Sequence, residues 1–331
     1  MKTLRGSLVL LVLGTSLHAN PTQLWATPLG SLGGVSTWAN SLNNLGQVVG
    51  SGWLPGNVDQ HAFLWEPTTG VMTDIGTLGG RCDAKGINDA GQVVGSCESP
   101  FSAFIWTAAT GMTALPWVGM AEAHAINASG QVTGSCDDGV YHAFLTGPGG
   151  LPMLPLPILG GFSGTYGLGV NDYGKVVGHG WGGVIGNPAV VIHGTRVTAL
   201  PTLPGAIDAI AHDINNHSTI VGESFNALGQ LRPVIWRNGT ITDLGTLGGD
   251  GGTARAINND GVVVGISDAL ALPSSRAFIW TASKGMRDLN TLLINPDVLG
   301  GTFLTGASDI NDKGQIVANT VLGAFLLTPK K

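Results

Sequence analysis

At two positions of a phrase that recurs seven times, the sequence offers polar, charged and aromatic side chains where its surroundings are apolar or small. Three residues before a repeated Asn stand Asn40, Lys85, His124, Leu168, His212, Arg255 and Ser308. Five before it stand Trp38, Asp83, Glu122, Tyr166, Ile210, Thr253 and Gly306. If each stretch is a strand, alternation of side chains puts both sets on one side of it. Carboxylates, amides, imidazoles, a guanidinium and aromatic rings gathered in this way can hydrogen-bond, neutralise and stack on a ligand, as concave sites do. Trp38, Asn40, Asp83, Lys85, Glu122, His124, Tyr166, His212 and Arg255 are therefore the candidate ligand-binding residues. Drift at a hydrated wall with no ligand predicts the same variation, and both readings stay open.

Covalent chemistry has less support. Gly169 to Lys175 superficially resembles a phosphate-binding loop, but Val176 stands where Ser or Thr is required. No GxSxG elbow and no HExxH zinc helix occurs. Glu122 and His124 are two potential metal ligands, too few for a site. No catalytic residue, metal or cofactor is expected.

The recurring phrase sets the framework. Its copies are Leu42-Asn43, Ile87-Asn88, Ile126-Asn127, Val170-Asn171, Ile214-Asn215, Ile257-Asn258 and Ile310-Asn311, each followed by a turn and a run such as Gln47-Val48-Val49-Gly50. The steps between Asn residues are 45, 39, 44, 44, 43 and 53. A period in this range means a repeat architecture. Asn bonding its own backbone, with a Gly at positive φ, explains the turn without a catalytic role. A third strand follows, as in His61-Ala62-Phe63-Leu64-Trp65 and Arg276-Ala277-Phe278-Ile279-Trp280, apolar enough to be covered on both sides. A fourth is Met72 to Leu78, ending in Gly79-Gly80.

Four strands per unit, seven times, predict an all-β, seven-bladed β-propeller over residues 20–331. The ends of the sequence argue for a closed ring rather than a solenoid. The last unit stops after its third strand at Leu327, and the segment 26–32 matches an isolated fourth strand. Joining them removes an open edge. The first strand is then innermost. Ala39, Ala84, Ala123, Gly167, Ala211, Ala254 and Ala307 four before the Asn, and Ser41, Gly86, Ala125, Gly169, Asp213, Ala256 and Asp309 two before it, are read as the small face that crowding near the axis requires.

These phrases resemble the HAF-repeat family of extracellular proteins, through HAFLW (61–65), TDIGTLGG (73–80), GINDAGQVVGS (86–96) and AFLLTP (324–329). Repeats 4 and 5 depart from the third-strand pattern. The resemblance spans essentially the whole mature sequence and implies export and a β-rich repeat fold. It brings no catalytic residues with it.

Residues 1–19 read independently as a secretory signal, with Lys2 and Arg5 before the apolar run Ser7–Leu13 and Ala19 at the cut. That run is too short to span a membrane, and no later one is long enough. A net charge of −6 without a basic cluster argues against nucleic acid and anionic membrane surfaces. Of three cysteines, Cys82 and Cys97 are the expected disulfide: if residue 87 pairs with 92, Cys82 faces Cys97, whereas a bulge at Gly91 puts it opposite Glu98. Cys136 is then the free thiol. The expected protein is a secreted monomer, extracellular or periplasmic. It acts as a non-enzymatic binding or scaffolding module for a glycan, peptide or cell-surface partner. The alternative is a propeller hydrolase or lyase acting on an extracellular polymer.

Overall fold

The computed structural model describes residues 23–330, apart from 185 and 273. The signal segment expected over 1–19 lies outside the described residues. The strands form seven four-stranded antiparallel sheets, and the protein is a seven-bladed β-propeller. Blade 1 shows the plan. Thr37–Leu42 is innermost, followed outward by Val48–Trp53, Gln60–Trp65 and Met72–Gly76. The inner strands of blades 2 to 7 are Cys82–Ile87, Met120–Ile126, Gly164–Val170, Ala209–Ile214, Gly248–Ile257 and Gly306–Ile310. Each blade is apolar on both faces, so the core lies between blades. Phe63, Phe104, Phe144 and Phe278 of the third strands are fully buried there, and Val190 and Val234 fill the same slot in blades 4 and 5.

Blade 7 draws its outermost strand from the start of the chain. Leu24–Pro28 runs antiparallel to Ala324–Pro329, with Ala26 opposite Leu327. The strand expected over 26–32 thus lies slightly earlier. Gly30 and Gly33 take φ values of 81° and 103°, which turn the chain out of extended pairing. The long final step between Asn residues also has a role. It accommodates two short 3-10 turns, Leu289–Leu292 and Pro296–Leu299, and the segment between them covers the outer edge of the closing strand. Asn295 grips Ala26 at two points: its Oδ1 accepts the Ala26 N–H and its Nδ2 donates to the Ala26 carbonyl, both at 2.9 Å.

The Asn turns lie at one end of the channel. In blade 1 the Asn43 Oδ1 accepts the N–H groups of Leu45 and Gln47, both at 3.0 Å, the local turn expected of Asn. The side-chain Nδ2 does more. It donates to the main-chain carbonyl of the corresponding Asn in the next blade. The sequence 43 to 88 to 127 to 171 to 215 to 258 to 311 and back to 43 forms a closed circle of bonds of 2.9–3.2 Å.

Cys82 and Cys97 are joined by a disulfide, and Cys136 is free and buried. The register that brings the pair together differs from the simple one. Ile87 pairs with Val93, not with residue 92, which alone would place Cys82 opposite Glu98. A bulge at Lys85 takes up the extra residue and returns Cys82 to Cys97.

Candidate functional site

The same bulge occurs in all seven inner strands. Pairing passes from Ala39–Gly50 to Ser41–Val49 with Asn40 left over, and likewise skips Lys85, His124, Leu168, His212, Arg255 and Ser308. A bulge breaks the two-residue alternation and re-aims side chains. The expected grouping of positions three and five before the Asn is therefore corrected. Positions three and two before it line the channel together, and position five stands apart. The bulge also explains a repeated Gly. It brings the carbonyl of the fifth-before residue so close that a Cβ on Gly50 would lie 2.0 Å from the Trp38 oxygen, and one on Gly134 1.8 Å from that of Glu122.

Asn40, Lys85, His124, His212 and Arg255, with Leu168 and Ser308, line one chamber of about 230 Å³. A second chamber of about 200 Å³ opens at the Asn turns. Leu42, Ile87, Ile126 and Val170, from the aliphatic position before each Asn, line both and form a collar between them. Asp83 and Glu122 instead line a side cleft of about 260 Å³ with Lys85, Arg81 and the disulfide. Lys85 belongs to both spaces and links them.

Two carboxylate–imidazole pairs flank the mouth. In blade 3, Glu122 Oε2 lies 3.2 Å from His124 Nε2 and 3.0 Å from Lys85 Nζ. The hydrogen bond to His124, and then the Lys85 charge, hold the Glu122 pKa down to about 2. Burial lowers that of His124, so the imidazole is neutral beside an ionised carboxylate. In blade 5, Glu223 Oε2 lies 3.3 Å from His212 Nε2 and accepts the Thr253 hydroxyl at 2.6 Å. Burial opposes ionisation of Glu223, but His212, Thr253 and the Arg255 charge outweigh it and lower its pKa. Between the pairs lies His179, whose pKa is pushed down to about 4 by burial and by the neighbouring His212 and His124. Asp83 accepts the Asn40 amide at 2.7 Å, and burial raises its pKa.

The two aromatic candidates differ. Trp38 is 42% exposed and offers a face. Tyr166 does not stand free: its ring stacks on His179 at 4.9 Å and on Tyr141 at 5.3 Å. Tyr141 in turn meets Trp181 edge-on, and Trp181 is 45% exposed. The exposed stacking face on this side therefore belongs to Trp181.

Sequence reasoning missed His179 and Glu223, which pair across from Tyr166 and Ile210 on the second strands. The signal was present, since the residue after the repeated Gly also varies, from Ser51 to His179 and Glu223. It also counted Asp213 and Asp309 with the small residues near the axis. Both line the chamber, and each reaches the next blade: Asp213 accepts the Ile257 N–H, and Asp309 the Leu42 N–H and Ser41 hydroxyl. Among the described residues, no group of three or more His, Cys, Asp and Glu side chains is placed to hold a metal ion.

No protein-family model and no curated protein matches the chain. Solved structures do. Virginiamycin B lyase from Staphylococcus aureus aligns over 92% of this chain and 99% of its own, with a TM-score of 0.57 and 10% identity. The propeller domain of the Trilobed protease from Pyrococcus furiosus, which has an open velcro topology, aligns over 76% of this chain and 81% of its own, with a TM-score of 0.53 and 11% identity. For the acylaminoacyl peptidase of Pyrococcus horikoshii the figures are 88%, 50%, 0.56 and 9%, so this chain spans half of that protein's length. At such identities the likeness establishes the propeller fold and nothing finer.

Proposed function

We propose that the protein is an exported binding module that receives a ligand, a glycan foremost, at the variable mouth of its channel. The observation that carries this reading is the sevenfold bulge. One backbone device delivers the same position of every blade into one chamber, and that position holds Asn, Lys, His, Leu, His, Arg and Ser. At the opposite mouth the turn residue is Asn seven times, where a structural role requires it. Exposed Trp38 and Trp181 add stacking surface of the kind sugars use. Resemblance to the HAF-repeat proteins and the secretory character of residues 1–19 support export. A buried disulfide fits an oxidising compartment.

Glycan and peptide arrays probed with mature protein, followed by calorimetry on the best ligand, test the reading. Trp38→Ala and Arg255→Ala should each weaken binding about tenfold, or about 1.4 kcal/mol, with little change in melting temperature. If both bind normally while substitutions on the outer strands abolish binding, the site lies elsewhere.

A second reading, a propeller hydrolase or lyase, draws on the His124–Glu122 and His212–Glu223 pairs. At His124 the carboxylate of Glu122 orients a neutral imidazole, which prepares it as a general base. Turnover of an extracellular polymer by the purified protein, lost in His124→Gln or His212→Gln, would establish that reading in place of the first.

A further inference from the structure

Resting on the glycan reading, we propose that the ligand is an acidic saccharide whose anionic oxygen group, a uronate carboxylate or a sulfate ester, docks on Arg255 and faces Lys85. Arg255 lines the chamber, yet its guanidinium forms no hydrogen bond with another described residue; its charge is felt by Glu223. Three other arginines are engaged, Arg81 over the Trp53 ring among them. Arg232 bonds Asp243 at 2.9 Å, and Arg276 lies over Phe303 with a bond to the Leu272 carbonyl. A guanidinium presents five N–H donors in a rigid fork that matches carboxylate and sulfate oxygens. At Arg255 that fork is unused, and the residue is exposed on the lining of the chamber.

Lys85 stands three blades away around the ring, on the facing wall of the chamber. Its ammonium spends one of three donors, on Glu122 at 3.0 Å. The carboxyl groups that share the chamber are committed to its wall. Asp309 accepts Ser41, Leu42 and Ile310 at 2.7, 3.0 and 2.7 Å. Asp213 accepts Ile257 and Ile214 at 2.9 and 2.7 Å. Burial raises the pKa of both, so their charge opposes an anion less than their number suggests. The unsatisfied hydrogen-bonding capacity of the chamber is therefore weighted toward cationic donors. A neutral sugar would leave the fork unpaired, whereas an acidic one pairs it through charge-assisted bonds, stronger than neutral ones.

Calorimetry on the mature protein with matched oligosaccharide pairs tests this. One pair is oligogalacturonate and its methyl ester; the other is a sulfated galactan fragment and its desulfated form. The two pairs distinguish carboxylate from sulfate. At least one acidic member should bind ten times or more as tightly as its neutral partner, with the difference shrinking as salt is raised. Arg255→Gln should erase the difference and Arg255→Lys restore part of it, at unchanged melting temperature, while Trp38→Ala weakens both members alike. Equal binding within both pairs overturns the anionic inference and leaves the glycan reading intact. Failure of all four probes, with neutral glycans on an array still bound, does the same. No glycan binding anywhere overturns both.

Discussion

Asp309 carries its chemistry in an unusual place for a carboxyl, inside the channel wall at the seam between blades 7 and 1. Burial first, and the charge of Asp213 second, push its pKa from 3.8 up to about 7 despite three hydrogen bonds to its oxygens. A folded-state pKa above the unfolded value means that the native state holds the proton longer. Between those values the native protein binds more protons than the unfolded chain, so stability falls as pH rises. The contribution is fully present below about pH 4 and lost as pH rises through about 7. Asp309→Asn removes the ionisation but keeps one oxygen, which can serve the Leu42 side or the Ile310 N–H and not both, so the variant should start less stable than the wild type. Its melting temperature should nevertheless decline less than that of the wild type between pH 5 and pH 8. Parallel declines in the two proteins would show that Asp309 has no part in the pH dependence. The sequence displayed Asp213 and Asp309 as exceptions in a column of Ser, Gly and Ala, but their role was illegible there. A carboxyl bridging to the next blade needs the bulge that turns it along the circumference, and the mark the bulge leaves, the repeated Gly on the neighbouring strand, does not say which residue is left over.

Among elements, the Asn hairpins were the most legible and still held something back. Asn followed three residues on by Gly identifies the turn in six blades; Gly46 and its counterparts take positive φ as expected, and Ser218 does so in blade 5. What a local reading cannot see is the second use of the side chain, because the partner carbonyl lies about a full repeat away in sequence. Asn88→Asp separates the two uses. The carboxylate retains acceptors for the N–H groups of Ala90 and Gln92, while the donor to the Asn127 carbonyl is lost. A buried acceptor left without its partner costs about 1–3 kcal/mol, and a charge facing that carbonyl adds to it. Denaturant unfolding should register a loss of that size with an unchanged m value. Wild-type stability in this variant would mean that the circle adds nothing beyond the turns. The disulfide teaches the complementary lesson. The expected pairing of Cys82 with Cys97 rested on a four-residue loop, and the actual path combines a longer loop with a bulge at Lys85. Two one-residue shifts of opposite effect return the same partners, and neither could be counted from sequence spacing.

For the molecule as a whole, closure of the ring was readable from two incomplete ends, and its reinforcement was not. An orphan fourth strand at the start and a missing one at Leu327 are complementary on inspection. The long last interval looked like a plain insertion, yet it bears Asn295, which seals the free edge of the closing strand. This arrangement sets up a graded test. Removing residues 20–28 leaves Ala324–Pro329 without its outer partner and strips Leu24 and Ala26, 0% and 1% exposed, from the core between blades 6 and 7. Loss of a fully buried Leu alone is worth about 1.5–3 kcal/mol, and the bared edge invites pairing with other chains. The truncated protein should aggregate or melt far below the full one. Asn295→Ala keeps the strand and its apolar contacts but releases both backbone groups of Ala26. It should fall between the two, soluble and less stable by about 1–3 kcal/mol, with faster hydrogen exchange confined to residues 24–28. A truncated protein that stays soluble with unchanged melting would show that the other six blades hold the ring without this strand, and the seam would then be only an ornament of the fold.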